Sequence, residues 1–104
     1  MDIIFLDDEI NKFIYTLPKE TIAKVLRTLD LLEKFSYKLG SPHTKKIQKN
    51  LFELRIIGKD QVRLFYTFIK PNIIVLCGFR KKSQKIPTRE LRRALMKLKS
   101  VDTA

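Results

Sequence analysis

The sequence predicts a single α+β domain whose elements follow the order β-α-α-β-β-β-α. Three observations indicate this class: a helical apolar period in the first third, an alternating period from Leu51 onward, and helical spacing again after Pro87. We expect an antiparallel meander sheet with an N-terminal helical hairpin on one face and a C-terminal helix. At 104 residues, the chain fits one domain, residues 1–104, with one compact core.

The N-terminal segment predicts a strand followed by two helices. Asp2–Leu6 is short, β-branched and aromatic, as strands are. Asp7 and Asp8 can cap a helix that extends to about Leu17, and Pro18 suits the first turn of the next helix. The apolar residues recur at helical spacing: Ile10, Phe13, Ile14 and Leu17, then Ile22, Val25, Leu26, Leu29, Leu32 and Phe35. The two helices are therefore expected to form an antiparallel hairpin.

A loop is predicted between this hairpin and the first meander strand. Gly40–Pro42 ends the helical unit, and the residues up to Asn50 are polar and rich in lysine. His43 lies in this loop, and we interpret it as a surface residue, with contact to a phosphate as the alternative.

The first meander strand, Leu51–Ile57, alternates apolar and charged residues. Glu53 and Arg55 fall between the apolar positions, which are Phe52, Leu54 and Ile56. Because successive side chains of a strand point to opposite faces, both charges are expected on the face away from the core.

The other two strands, Gln61–Ile69 and Ile73–Phe79, are more apolar. The pattern places Arg63 on one face of the first and Tyr66 on the other, so Tyr66 should pack under the sheet rather than stack on a base. The second is typical of a central strand covered on both sides, and its Cys77 is interpreted as a core residue rather than a reactive thiol.

The last predicted element is a helix, Arg89–Lys99, which Thr88 can cap. Its apolar stripe consists of Leu91, Leu95 and Leu98, and its other faces are heavily basic.

The net charge of +11 is distributed unevenly along the chain. Residues 1–33 hold seven acids and four bases, whereas residues 34–104 hold four acids and eighteen bases. A one-sided positive field attracts polyanions, so nucleic acid is the leading class of partner. A membrane surface is the weaker alternative, because no segment combines this charge with a long apolar face. No apolar run approaches the roughly 20 residues needed to span a bilayer, so we expect a soluble protein.

The sequence offers little for metal or nucleophilic chemistry. It has one histidine, one cysteine, and no carboxylate cluster except Asp7–Glu9, whose charges suit the first turn of a helix. We therefore expect no metal site and no cofactor, and the sequence contains no glycine-rich phosphate cradle. A single cysteine and the lack of a leader sequence favour a reducing, cytoplasmic setting.

Arg55 and Arg63 lie on successive antiparallel strands, so their side chains could approach each other on one sheet face. Like charges repel there, and the arrangement is more readily tolerated when an anion such as phosphate sits between them. The alternative is that Glu53 or Asp60 pairs with one of the arginines, and spacing alone does not decide between the two interpretations.

Three motifs occur in order: LFELR at 51–55, VRLFY at 62–66 and GFRKKSQKIP at 78–87. Together they resemble the signature of the HigB-like, phage-derived branch of the RelE/ParE toxin superfamily, and the likeness covers nearly the whole chain. The resemblance implies a RelE-like fold and a type II toxin–antitoxin toxin, a ribosome-dependent mRNA interferase that inhibits translation in the cytoplasm. It implies the ribosome, mRNA and a cognate HigA-like helix-turn-helix antitoxin as partners, with neither a membrane nor a small-molecule cofactor.

By position, the resemblance implies that Arg55, Arg63 and Lys82 are the catalytic cations around the scissile phosphate. Lys81 and Gln84 belong to the same signature and are assigned to RNA binding. Other basic residues are expected to follow the RNA backbone, namely Lys45, Lys46 and Lys49 in the loop and Arg92 and Arg93 in the last helix.

The chain departs from RelE-type relatives in two places. Glu53 stands where the RelE branch carries a lysine, and no tyrosine follows the basic turn, where the sequence is Ile86–Thr88. A lysine is then the candidate base for attack of the ribose 2′-OH on the adjacent phosphate. We choose Lys82 because the cations around it disfavour a further positive charge there.

Two other functions fit the same sequence. One is a nucleic-acid-binding module that grips RNA or DNA without cutting it. The other is a ParE-like topoisomerase poison on the same fold.

Overall fold

The computed structural model describes residues 1–102, which form one five-stranded sheet and three α-helices. In chain order the elements are β1 (Asp2–Phe5), α1 (Asp8–Tyr15), α2 (Lys19–Phe35), β2 (Thr44–Gln48), β3 (Leu51–Ile56), β4 (Val62–Ile69), β5 (Asn72–Arg80) and α3 (Thr88–Asp102). A short 3₁₀ turn, Ser36–Lys38, follows α2. The predicted α+β class is confirmed.

The strands lie in the order β1-β5-β4-β3-β2. The predicted meander of β3, β4 and β5 is antiparallel throughout. The first strand, β1, lies parallel to β5 on the side away from β4. The chain thus begins at one edge of the sheet and returns to it only with its last strand.

The predicted loop before Leu51 is wrong in part, because it contains β2. This strand pairs antiparallel with β3 and forms the other edge of the sheet, and Asn50 at φ 63° lies in the turn between the two strands. Lys45 and Lys46 are exposed, and Ile47 is the one apolar residue of the strand. Lysines suit an edge strand because they discourage further pairing. Because these positions are lysines, β2 lacks the alternation of apolar and polar residues by which a strand is recognised in a sequence.

The helical hairpin packs on one face of the sheet, as predicted. Its core consists of Ile10, Ile14, Val25, Leu29 and Leu32 against Leu54, Ile56, Val62, Leu64, Tyr66, Ile73 and Val75. Two residues of the predicted stripe, Leu26 and Phe35, are exposed, whereas Thr21 and Thr28 are buried. Both threonines satisfy their hydroxyls: Thr28 donates to the carbonyl of Lys24 at 2.7 Å, and Thr21 donates to a carboxylate described below.

The helix α3 covers part of the opposite face, which the alternation in β3 predicted to be solvated. Ala94 and Leu98 of this helix pack with Leu51, Phe65, Leu76, Cys77 and Phe79. Burial raises the pKa of the Cys77 thiol to about 11, which agrees with its interpretation as a core residue. The helix starts at Thr88 and extends beyond the predicted end at Lys99.

Tyr66 lies under the sheet, as predicted, with its ring stacked on Phe52 at 5.5 Å between centroids. Burial raises the pKa of its hydroxyl to about 12. Across residues 1–102, no helix is both long enough and apolar enough to cross a membrane.

Candidate functional site

Arg55 of β3 and Arg63 of β4 lie directly opposite each other in the sheet. The strands that carry them are joined by the turn around Gly58 and Asp60, which fixes this register. Side chains at directly opposed positions lie on the same face. The prediction that the two arginines approach each other is therefore confirmed.

A buried carboxylate lies between these arginines. Glu53 Oε1 accepts a hydrogen bond from Arg55 Nε at 3.1 Å and lies 4.0 Å from Arg63 Nε. The Glu53 side chain is only 1% exposed, which corrects its predicted position on a solvated face. The alternative interpretation, that Glu53 pairs with one of the arginines, is thus also correct. The cluster of Glu53, Arg55 and Arg63, called here the arginine–glutamate cluster, keeps a net positive charge.

The arginine–glutamate cluster retains unused hydrogen-bonding capacity. Among the described residues, Glu53 Oε2 and Arg63 Nε are buried and have no hydrogen-bond partner. The other nitrogens of Arg63 donate to the carbonyl of Val62 and to Gln61 Oε1, both at 3.0 Å. Burial lowers the pKa of Arg63, an effect that the Glu53 charge opposes and the Arg55 charge adds to. Guanidinium remains protonated in proteins, so Arg63 is a fixed cation.

An open cleft of about 580 Å³ adjoins Arg63, and it is called here the basic cleft. Its lining residues come from the start of β4 and from the segment after β5: Gln61, Arg63, Lys81, Lys82, Ser83 and Gln84. Four predicted site residues thus meet in one place, although 17 residues or more separate Arg63 from the others along the chain. Arg55 does not line the cleft, but it lies beside Arg63 in the sheet.

Several contacts fix the segment that brings Lys81 and Lys82 to the cleft. The backbone N–H of Lys81 donates to the carbonyl of Gln61 at 2.6 Å. Arg80 donates to Asp60 Oδ1 at 2.5 Å, and Thr21 of α2 donates to Asp60 Oδ2 at 2.7 Å. The hydrogen bonds from Thr21 and Arg80 lower the pKa of Asp60. Arg80 is therefore held in an ion pair with Asp60, whereas Lys81 and Lys82 line the cleft.

The lysines before β3 occupy different positions. Lys45 of β2 lies opposite Glu53, and hence on the same sheet face as the arginine–glutamate cluster. Lys46 lies opposite Phe52 and so belongs to the other face, while Lys49 is exposed in the turn between β2 and β3. Register thus favours Lys45 over Lys46 as an extension of the site.

The two predicted RNA-binding residues of α3 also differ from each other. Arg92 is exposed, whereas Arg93 pairs with Glu9 of α1. Next to this pair, Lys97 donates to Asp7 at 2.8 Å and to Glu9 Oε2 at 3.4 Å. The hydrogen bond from Lys97 lowers the pKa of Asp7, and that from Arg93 lowers the pKa of Glu9. Sequence analysis missed these pairs, because they join residues more than 80 positions apart.

In the described part of the chain, no group of three or more histidine, cysteine, aspartate or glutamate side chains could hold a metal ion. His43 is half-buried, and its carbonyl accepts the backbone N–H of Arg55 at 2.7 Å. What the site offers chemically is the fixed guanidinium of Arg63 together with the side chains of Lys81 and Lys82 in one cleft. Such a set of cations is suited to a phosphodiester.

The family described as Phage derived protein Gp49-like (DUF891) matches residues 12–99 of the chain. The matched range contains all the predicted site residues, from Lys45 to Arg93. A search of the curated proteins finds none that matches.

Proposed function

The chain belongs to the phage-derived Gp49-like family, which is associated with RelE-like toxins, and from this premise we propose a toxin of the HigB-like branch. Its proposed activity is ribosome-dependent cleavage of mRNA in the cytoplasm. Its proposed partners are the ribosome and a HigA-like helix-turn-helix antitoxin.

The observation that carries this proposal is the convergence of four signature residues on the basic cleft. Arg63, Lys81, Lys82 and Gln84 line it together, although three of them follow β5 and Arg63 lies on β4. Positive charge that served solubility alone would not require these residues to lie together. A phosphodiester in the cleft would contact a guanidinium and ammonium groups.

The proposed reaction is transfer of the phosphorus from the 5′-oxygen of one nucleotide to the 2′-oxygen of the preceding one. The 2′-oxygen attacks phosphorus, the P–O5′ bond breaks, and the products end in a 2′,3′-cyclic phosphate and a 5′-hydroxyl. Lys82 is the proposed base, which accepts the 2′-OH proton and returns it to the leaving 5′-oxygen. Arg63, supported by Arg55, stabilises the charge that develops on the non-bridging oxygens.

The test is to add the purified protein to translating ribosomes and to map new 5′ ends on the mRNA. The wild-type chain is expected to cut. Lys82→Ala should slow cutting by about 100-fold or more, the usual effect of losing a general base or a phosphate-stabilising donor. Arg63→Lys should also slow it, because an ammonium cannot reproduce the two-pronged contact of a guanidinium.

Arg27→Ala is the matched control, because Arg27 is exposed on α2 and lines a different surface. It removes the same charge as Lys82→Ala and should leave the cutting rate unchanged. Full activity of Lys82→Ala would contradict the assignment of the base. Binding of RNA without cutting would favour the binding module instead, and intact mRNA accompanied by DNA damage would favour a topoisomerase poison.

A further inference from the structure

A second cavity, of about 440 Å³, adjoins the basic cleft and is called here the aromatic cavity. It arises because β1 is short: its pairing with β5 ends at Val75, so the rest of β5 has no strand on that side. α1 and the start of α3 border the gap. The lining residues are Phe13, Gly78, Phe79, Arg80, Lys82, Ser83, Pro87, Arg89 and Glu90.

The walls of the aromatic cavity suit a flat, unsaturated ring. Its lining residues include Phe13, Phe79 and Pro87, and Phe79 is held by stacking on Phe65 at 5.6 Å between centroids. Gly78 allows this arrangement, since a Cβ on it would lie 2.9 Å from the Phe13 ring and 2.5 Å from Leu64. Unpaired nucleobases bind proteins by stacking on such aromatic surfaces. The volume lies within the range of roughly 300–1,000 Å³ that is common for small-ligand pockets.

Glu90 gives the aromatic cavity an acceptor for hydrogen bonds. Its side chain is 13% exposed, and its nearest cation is Arg89, with Nε 3.8 Å from Oε1. That distance is too long for a hydrogen bond. Of the residues that the structure describes, only Arg89 forms an ion pair with this carboxylate. A nearly buried carboxylate with free acceptor capacity is suited to a ligand that presents N–H donors.

The aromatic cavity and the basic cleft share Lys82 and Ser83. A phosphate in the basic cleft therefore has an adjoining pocket within reach of a nucleoside attached to it. Three cations, Arg80, Lys82 and Arg89, are also among the lining residues of the aromatic cavity. This arrangement favours an anionic ligand whose neutral ring enters the cavity while its phosphate stays outside.

We propose that the aromatic cavity binds the nucleobase next to the scissile phosphate and that Glu90 selects guanine there, an inference that rests on the function proposed above. Guanine offers two adjacent donors, N1–H and the 2-amino group, and a carboxylate accepts both. Adenine and cytosine place a ring acceptor beside their amino group, and uracil flanks its single N–H with two carbonyls. Each of these acceptors would face the negative charge of Glu90.

The experiment uses the full chain, translating ribosomes and a pool of mRNAs randomised in the coding region, with cut sites mapped by sequencing. Wild-type protein is expected to cut preferentially where guanine occupies one position flanking the cut. Glu90→Gln should lower that preference about tenfold, the effect of losing half of a bidentate contact, while cutting itself continues. Glu20→Gln, an exposed glutamate at the start of α2, is the control and should keep the preference.

A second measurement needs no ribosome. Wild-type protein should bind guanosine monophosphate about tenfold more tightly than uridine monophosphate, and Glu90→Gln should remove most of this difference. If wild-type protein cuts but Glu90→Gln and wild type share one preference, the guanine site is overturned and the nuclease stands. If wild-type protein does not cut at all, the proposed function fails and the guanine site fails with it.

Discussion

Glu53 determines how the two opposed arginines of the site can coexist. Without it, Arg55 and Arg63 would place two like charges side by side on a partly covered sheet face. Its carboxylate bonds one guanidinium and lies 4.0 Å from the other. Burying these charges nevertheless costs free energy of folding, since a buried ion stabilises a fold only while its partners remain. A substitution of either arginine therefore changes stability as well as charge.

This coupling predicts a non-additive pair of substitutions at Arg55 and Glu53. Arg55→Met should lower the free energy of unfolding by about 2 kcal/mol, because it leaves the buried carboxylate without its closest partner and Arg55 itself is 31% exposed. Adding Glu53→Gln to Arg55→Met should recover more than half of that loss. Urea unfolding followed by circular dichroism measures both changes.

Lys12→Met is the control for the Arg55 substitution, because Lys12 pairs with Asp8 in full solvent at 3.7 Å. It should change stability by less than about 0.5 kcal/mol. Equal stability of Arg55→Met with and without Glu53→Gln would show that the carboxylate does not depend on Arg55. A loss of cutting in an Arg55 variant should therefore be compared with the change in its free energy of unfolding.

Ion pairs join α3 to the start of α1. Lys97 of α3 reaches Asp7, the N-cap of α1, and both Lys97 and Arg93 reach Glu9 in the first turn of α1. Asp7 further accepts the backbone N–H of Glu9 at 3.1 Å as the N-cap. One carboxylate thus both caps a helix and ties two helices together.

The lowered pKa of Asp7 makes part of this contact acid-sensitive. The group has a depressed pKa in the folded chain, so its contribution is present above its unfolded pKa of about 3.9 and is lost as pH falls through the folded value. Asp7→Asn should therefore flatten the dependence of unfolding free energy on pH below about pH 4. Asparagine caps a helix as well as aspartate does, so the change removes the charge and keeps the cap.

Urea unfolding at a series of pH values between about 2.5 and 6 measures this dependence. Asp8→Asn is the control, since Asp8 is exposed and its one ion pair is within its own helix. The wild-type slope should persist in that variant. The assignment to the Lys97 contact is refuted if the two variants give the same slope.

The elements that sequence predicted best are those whose partners are near in the chain. The hairpin of β3 and β4 carries a clear alternation and a short turn, so the opposition of Arg55 and Arg63 follows from the sequence. β2 was missed because solvated lysines occupy an edge strand. The parallel pairing of β1 with β5 leaves no local sign, because it joins residues 70 positions apart.

The site shows the same difference between partners that are near in the chain and partners that are distant. Charge pattern alone could not separate Arg80 from Lys82, and only the resemblance singled out Lys82; the structure shows Arg80 tied to Asp60. The burial of Glu53 was not predictable either, because α3 lies at the end of the chain and covers much of that face. Local alternation reports which residues share a face and gives no information about what packs on it.

Taken as a whole, the molecule presents a large positive charge, +11, to any polyanion. Binding of RNA should therefore weaken steeply with salt, because each neutralised phosphate releases counterions. Lys81→Ala is expected to reduce the slope of log affinity against log salt by about 0.7 to 1, the contribution of one phosphate contact. Binding of a 2′-O-methyl RNA, which cannot be cut by 2′-OH attack, measures this slope between about 50 and 300 mM salt, over which the Debye length falls by a factor of about 2.4.

Arg27→Ala changes the total charge equally and should leave the slope as in wild type, since a general field acts on affinity more than on the number of contacts. Equal reduction of the slope by Arg27→Ala and Lys81→Ala would mean that RNA is attracted diffusely. In that case the basic cleft would hold no phosphate of its own.

The order of the strands also bears on when the basic cleft can form. Within residues 1–102, β1 pairs with β5 and with no other strand, and the basic cleft needs the segment after β5. A chain emerging from a ribosome therefore cannot complete the pairing of β1 before Val75 has been made, or the basic cleft before Gln84 has been made. Long-range pairing of this kind is slow to form. The action on ribosomes proposed above would thus be delayed by topology, because the basic cleft does not exist before Gln84 has been made.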